Sequence, residues 1–131
     1  MVQEITKKIM NGGLKKYSEI HNEELKNIQI RATKGEGENV KYEICKNWQP
    51  IEEITFRDIL NKKIDILSYE AIATPFLYKS LDLYSKMFSV ELEKISVFIF
   101  NTNNEIYVAV FDSYKSLKVL TMKKHFELLG M

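Results

Sequence analysis

Asp58, Asp65, Glu70 and Asp112 are carboxylates that a fold could gather around a divalent cation, and Glu24-Leu25-Lys26 supplies a Glu-x-Lys spacing. In small metal-dependent nucleases an Asp followed by Glu-x-Lys on adjacent strands brings the cation and a lysine to the cleaved phosphate. Here the Glu-x-Lys precedes every Asp and falls at an expected helix end, so order and context both oppose that chemistry. The chain has two histidines, His21 and His125, far apart in sequence. His21 with Glu24 could begin a metal site, but no HxxxH or HxH pair supplies the ligand spacing that zinc favours. His125 follows Lys123 and Lys124 and could touch a phosphate, although a half-exposed helix residue is the simpler expectation.

The single cysteine, Cys45, rules out an internal disulfide and any multi-cysteine zinc site. Lys41 and Lys46 beside it could lower its pKa and make it reactive, but the simpler reading is a small residue on a strand. No serine sits in a nucleophile-elbow glycine pattern. Gly35-Glu36-Gly37-Glu38 is no phosphate cradle, because its two carboxylates repel an anion. No catalytic residue, metal or cofactor is therefore expected.

Lys41, Tyr42, Lys46 and Trp48 approach the interleaving of aromatic and basic residues that suits single-stranded nucleic acid, diluted by Glu43 and the acidic turn. The net charge of +1 gives no field that steers the chain to a polyanion. Of the basic residues only Arg31 and Arg57 are arginines, and bidentate phosphate sites favour arginine. The richness in Lys, Ile and Asn fits an A/T-rich genome, such as that of many bacteria, their phages and some large viruses.

These residues must be positioned by elements that the hydrophobic periodicity outlines. An apolar share of 45% with 28% charged residues describes a folded chain, and 131 residues suffice for one domain over 1–131. Val2, Ile5 and Ile9 share a helical face, and Asn11-Gly12-Gly13 reads as a stop. A second helix is expected from Leu14 to about Leu25. The period then falls to two: "NIQIRAT" and "VKYEIC" form a hairpin around "KGEGEN". Trp48-Gln49-Pro50 breaks the second strand. Thr55 and Asp58 have capping-box spacing before a short helix from Phe56 to about Lys62, and "IDIL" reads as a short strand.

Thr74-Pro75 reads as the cap and first position of a helix running to Phe88. "ISVFIFNTNNEIYVAVFD" follows, a hairpin apolar on both faces. A last helix is expected from Ser113 to Leu129, ended by Gly130, and able to cover part of the hairpin's second face. The resulting fold is α+β, with an antiparallel sheet of about four or five strands in two hairpins packed against helices. Its order is α-α-β-β-(α/β)-α-β-β-α.

Trp48, Tyr69, Tyr78 and Tyr114 fall at element ends or off the inner stripes, and such aromatics are enriched at protein interfaces. The expected function is a small, non-enzymatic, cytoplasmic protein-binding domain that occupies a partner's surface as an inhibitor, adaptor, immunity-type or escort protein. The partner would be another protein or a second copy, met through Tyr42, Lys46, Trp48 and Tyr69. The alternative is a nucleic-acid-binding protein or small metal-dependent nuclease.

Overall fold

The computed structural model describes the backbone of residues 2–59 and 66–130, and their side chains except 2, 3, 5, 56, 57 and 66–76. The elements are α1 (Val2–Ile20), β1 (Ile28–Lys34), β2 (Val40–Lys46), β3 (Gln49–Ile54) and α2 (Phe56–Ile59), then α3 (Ile66–Phe88), β4 (Ile95–Thr102), β5 (Glu105–Asp112), β6 (Lys115–Thr121) and α4 (Met122–Leu128). The strands form one antiparallel sheet in the order β3-β2-β1-β4-β5-β6. The fold is α+β, as the periodicity predicts, with six strands where four or five are expected.

Alternation along each strand divides the sheet into two unlike faces. Ile28, Ile30 and Ala32 of β1, Ile95, Val97 and Ile99 of β4, and Ile106, Val108 and Val110 of β5 point into the main core. Ile9, Met10, Leu14 and Tyr17 of α1, Leu77, Leu81 and Tyr84 of α3, and Met122, Phe126 and Leu129 around α4 fill the other side of that core. The opposite face holds a separate small cluster of Cys45, Phe98 and Ala109, with Phe100 and Phe111 packed against it. Among the described residues, no helix contributes to that cluster.

Four expectations are corrected by this arrangement. Asn11-Gly12-Gly13 does not stop a helix, because α1 runs through it. Gly13 serves close approach instead: a Cβ there would stand 2.7 Å from Ile59 Cγ2 and 3.3 Å from Ile30 Cδ1. Thr74-Pro75 does not open α3, which begins at Ile66 and carries the proline inside. A mid-helix proline costs about 3 kcal/mol, which the burial of Leu77, Leu81 and Tyr84 farther along the helix offsets.

The other two corrections concern strands. Gln49–Ile54 pairs with β2 as an additional edge strand, despite Pro50, which an edge position tolerates. Residues 115–121 are strand rather than helix, and Ser113 lies in the turn before them. "KSLKVLT" fits a helical stripe through Leu117 and Leu120, but β5 offers it a free ladder and Val119 and Thr121 favour extended backbone. The cap of α4 is Thr121, whose side chain accepts from Lys124 N. Gly130, at φ +78°, follows α4 as expected. Of "IDIL", Ile66 and Leu67 are helical, and the remainder lies outside the described residues, as does the expected continuation of α2 beyond Ile59.

Candidate functional site

The sheet face opposite the helices, which no helix covers among the described residues, carries the features that could serve binding. Asn47 and Trp48 form the two-residue turn between β2 and β3, both with left-handed backbone, at φ 49° and 71°. Such a turn usually holds glycine at its second position, and a bulky residue there is strained by about 1–2 kcal/mol. Two hydrogen bonds pin it: Trp48 N donates to Gln29 Oε1 at 2.8 Å, and Asn47 N donates to the Asn27 carbonyl at 2.9 Å. The indole thereby lies across β1 and meets the aromatic residues of the second hairpin. Its ring centroid is 5.4 Å from that of Phe98, 5.1 Å from Phe100 and 6.0 Å from Phe111. Phe100 stacks in turn on Tyr107, at 5.6 Å.

Arg31 organises the floor beside this cluster. Its Nη1 donates to Glu43 Oε1 at 2.8 Å, while Nε and Nη2 both donate to Ser96 Oγ. The guanidinium also lies 5.8 Å from the centre of the Phe98 ring. Arginine's planar fork makes all these contacts together, which lysine's single ammonium could not. A cleft of about 620 Å³ opens here, lined by Trp48, Phe98, Phe111, Tyr114, Arg31 and Pro50 among others. Tyr114, on the β5–β6 turn, is 98% exposed at its mouth. Val119 of β6, 58% exposed, extends the apolar surface beyond Ala109, its cross-strand neighbour.

Comparison with family models, curated proteins and solved structures finds no match. The chemistry must be read from the side chains alone.

The residues expected to meet a partner are scattered by the fold. Trp48 reaches the open face. Tyr42 points the other way, into the core, with only 4% of its surface exposed. Lys46 is tied to Glu23 by an ion pair. Tyr69 lies in α3, but its side chain is outside the described residues.

The residues weighed for catalysis are likewise apart. Asp58 caps α2: its Oδ2 accepts from Thr55 N at 2.8 Å and its N donates back to Thr55 Oγ1 at 3.3 Å. That backbone hydrogen bond from Thr55 holds its carboxyl below the usual aspartate range. His21 pairs with Glu52 of β3 at 3.1 Å rather than with Glu24. Asp65 and the Glu70 side chain are outside the described residues. Among the described residues no three His, Cys, Asp or Glu side chains gather into a metal-binding group. Burial pushes the Cys45 thiol up to about 12, so it is protonated and shielded rather than reactive.

His125, expected to be half exposed, is instead buried between α4 and α3. Ser80 Oγ lies 2.9 Å from its Nε2, and Tyr84 Oη lies 2.6 Å from its Nδ1. A serine beside an imidazole is the start of a nucleophile pair. However, Ser80 is 0% and His125 1% exposed, which leaves no approach for a substrate. Burial pushes the His125 pKa down to about 4, so the ring is neutral near pH 7. The trio is a buried polar tie between two helices. Sequence reasoning missed it because the i, i+4 spacing of Ser80 and Tyr84 has meaning only once α4 is known to cross α3.

Among the described residues, no helix is long and apolar enough to cross a membrane.

Proposed function

We propose that this protein binds another protein through the open face of its sheet, with Trp48, Phe100, Tyr107, Phe111 and Val119 as the apolar centre over buried Phe98. It acts by occupying the partner's surface, as an inhibitor, adaptor, immunity-type or escort protein does. One observation carries the reading: a tryptophan is held in a strained turn over an aromatic floor that no helix covers among the described residues. Strain retained at such a position is a sign of use, since a glycine would form the turn at lower cost. Aromatic centres ringed by polar groups are where binding energy concentrates, and Arg31, Glu43, Glu93, Lys94 and Ser113 supply that ring.

The dimensions suit a protein partner. Strands about 4.8 Å apart with about 3.3 Å rise per residue make the six-stranded face roughly 600 Å² in projection, near the ~800 Å² per partner of a standard interface. Nucleic acid is a second reading, favoured by the exposed rings as stacking platforms. The charges on this face weigh against it, because Arg31 is paired with Glu43 and Lys41 lies 3.9 Å from Glu53.

Native mass spectrometry of the protein recovered from its own host tests the proposal. A stable complex or homodimer is expected. A lone monomer would overturn the proposal, and a bound oligonucleotide released steeply by salt would favour the second reading.

A further inference from the structure

The sheet ends in two edges of opposite charge. β3 carries Pro50, a register shift against β2, and Glu52 and Glu53, which face His21 and Lys41. Proline removes a ladder donor and so blunts an edge against further pairing. β6 has no proline and spans seven residues; among the described residues it pairs with β5 alone, with its own register shift at Leu117. Among the described residues, no backbone hydrogen bond outside the sheet ladder involves residues 115–121. Among the described residues, the outward N–H and C=O groups of β6 therefore have no backbone partner.

The charge on this edge is also one-sided. Lys115 and Lys118 are exposed, and neither belongs to any ion pair among the described residues. Asp112 stands opposite Lys115 in register without coming within ion-pair distance. Lys123, in the first turn of α4, is equally without an acidic partner among those residues. In the two-fold register centred on Lys118, pairing β6 with β6 of a second copy would set Lys118 against Lys118, and like charges across a strand pair are destabilising. The edge thus disfavours its own copy and favours a strand of opposite charge.

We infer that β6 is a docking edge for an extended peptide of alternating acidic and apolar residues, which joins the sheet as a seventh strand. Alternation follows from the neighbours Lys118 and Val119, which lie on opposite faces of β6: Lys118 is in register with core-facing Val110, and Val119 with Ala109 on the open face. An acidic side chain of the incoming strand stands beside Lys118, and the next, apolar one stands beside Val119. Main-chain hydrogen bonds to the edge supply affinity, and the two side-chain positions supply selectivity. The inference goes beyond the open-face reading, because edge and face are separate surfaces that meet at Val119.

The test uses a synthetic peptide of about eight residues alternating Glu and Val, a typical strand length. Its controls are the same peptide with Lys for Glu and the same peptide with a central proline. By titration calorimetry the Glu peptide should bind about ten-fold more tightly than the Lys peptide, as two modest charge pairs would give. The proline peptide should not bind, and amide exchange should slow within residues 115–121 on binding. Reversal by K115E with K118E should swap the preference, and the milder K118Q should weaken the Glu peptide alone. Equal affinities, binding that survives the reversal, protection outside β6, or no binding by any peptide would each overturn the inference. None of those results touches the open-face reading, which is probed at Trp48 and Tyr107.

Discussion

Trp48 and Phe100 meet edge to face, their ring centroids 5.1 Å apart and their planes 74° from parallel. They belong to different hairpins, and β1, which lies between those hairpins, contributes only Gln29 and Arg31 at the corresponding positions of this face. The contact exists because the turn at Asn47 and Trp48 bends left-handed and throws the indole across β1. The contact and the strained turn are therefore coupled, and substitution should separate them.

Trp48→Ala should destabilise the fold by about 1–2 kcal/mol, since part of a half-buried aromatic cluster is lost. Trp48→Gly should cost no more than Trp48→Ala, because glycine is at ease in the left-handed turn that strains alanine. Urea unfolding of both variants is the measurement. A glycine variant clearly weaker than the alanine variant would show that the turn is not left-handed.

Gly12 and Gly13 should respond oppositely to alanine. A Cβ at Gly12 meets nothing within 4 Å, so Gly12→Ala should stabilise α1 by about 0.5–1 kcal/mol. At Gly13 the same atom would come within 2.7 Å of the branched, buried Ile59, and Gly13→Ala should destabilise by about 1–3 kcal/mol. Melting temperatures shifted in opposite directions are the expected outcome.

His125 should make the fold sensitive to acid. Its pKa falls from 6.5 to about 4 on burial, so between those values the unfolded chain binds the extra proton. Stability from this group is complete above pH 6.5 and is lost as the pH falls toward 4, by at most roughly 3 kcal/mol. His125→Gln should be less stable at neutral pH yet show a shallower decline across that window. Identical slopes for the two proteins would remove the assignment.

Much of this architecture is written in the periodicity, because an apolar face must be buried wherever it lies. Ile28, Ile30 and Ala32, and then Val97 and Ile99, mark their inward side without ambiguity. Local punctuation misled where tertiary contact overrode it. Gly12-Gly13 and Thr74-Pro75 carry the usual signs of helix ends, yet packing carries α1 and α3 through them. The strand at 115–121 was illegible because its pairing with β5 is what tips an ambiguous pattern. That "ISVFIFNTNNEIYVAVFD" is apolar on both faces is plain in the sequence, but the cover it finds is not. The last helix packs on the same face as α1 and α3, and the second face receives Trp48 from a distant turn. Trp48 is thus the expected partner-binding residue that the fold places on the open face, while Tyr42 and Lys46 fall on the helical side.

The most direct test places a photo-crosslinking amino acid at Tyr107 on the open face and, in a separate variant, at exposed Lys86 of the helical layer. After illumination in the native host, position 107 should yield a discrete crosslinked protein or dimer and position 86 should not. Crosslinks from 86 alone, or from neither position, would contradict the claim that the uncovered sheet face is where this protein meets its partner.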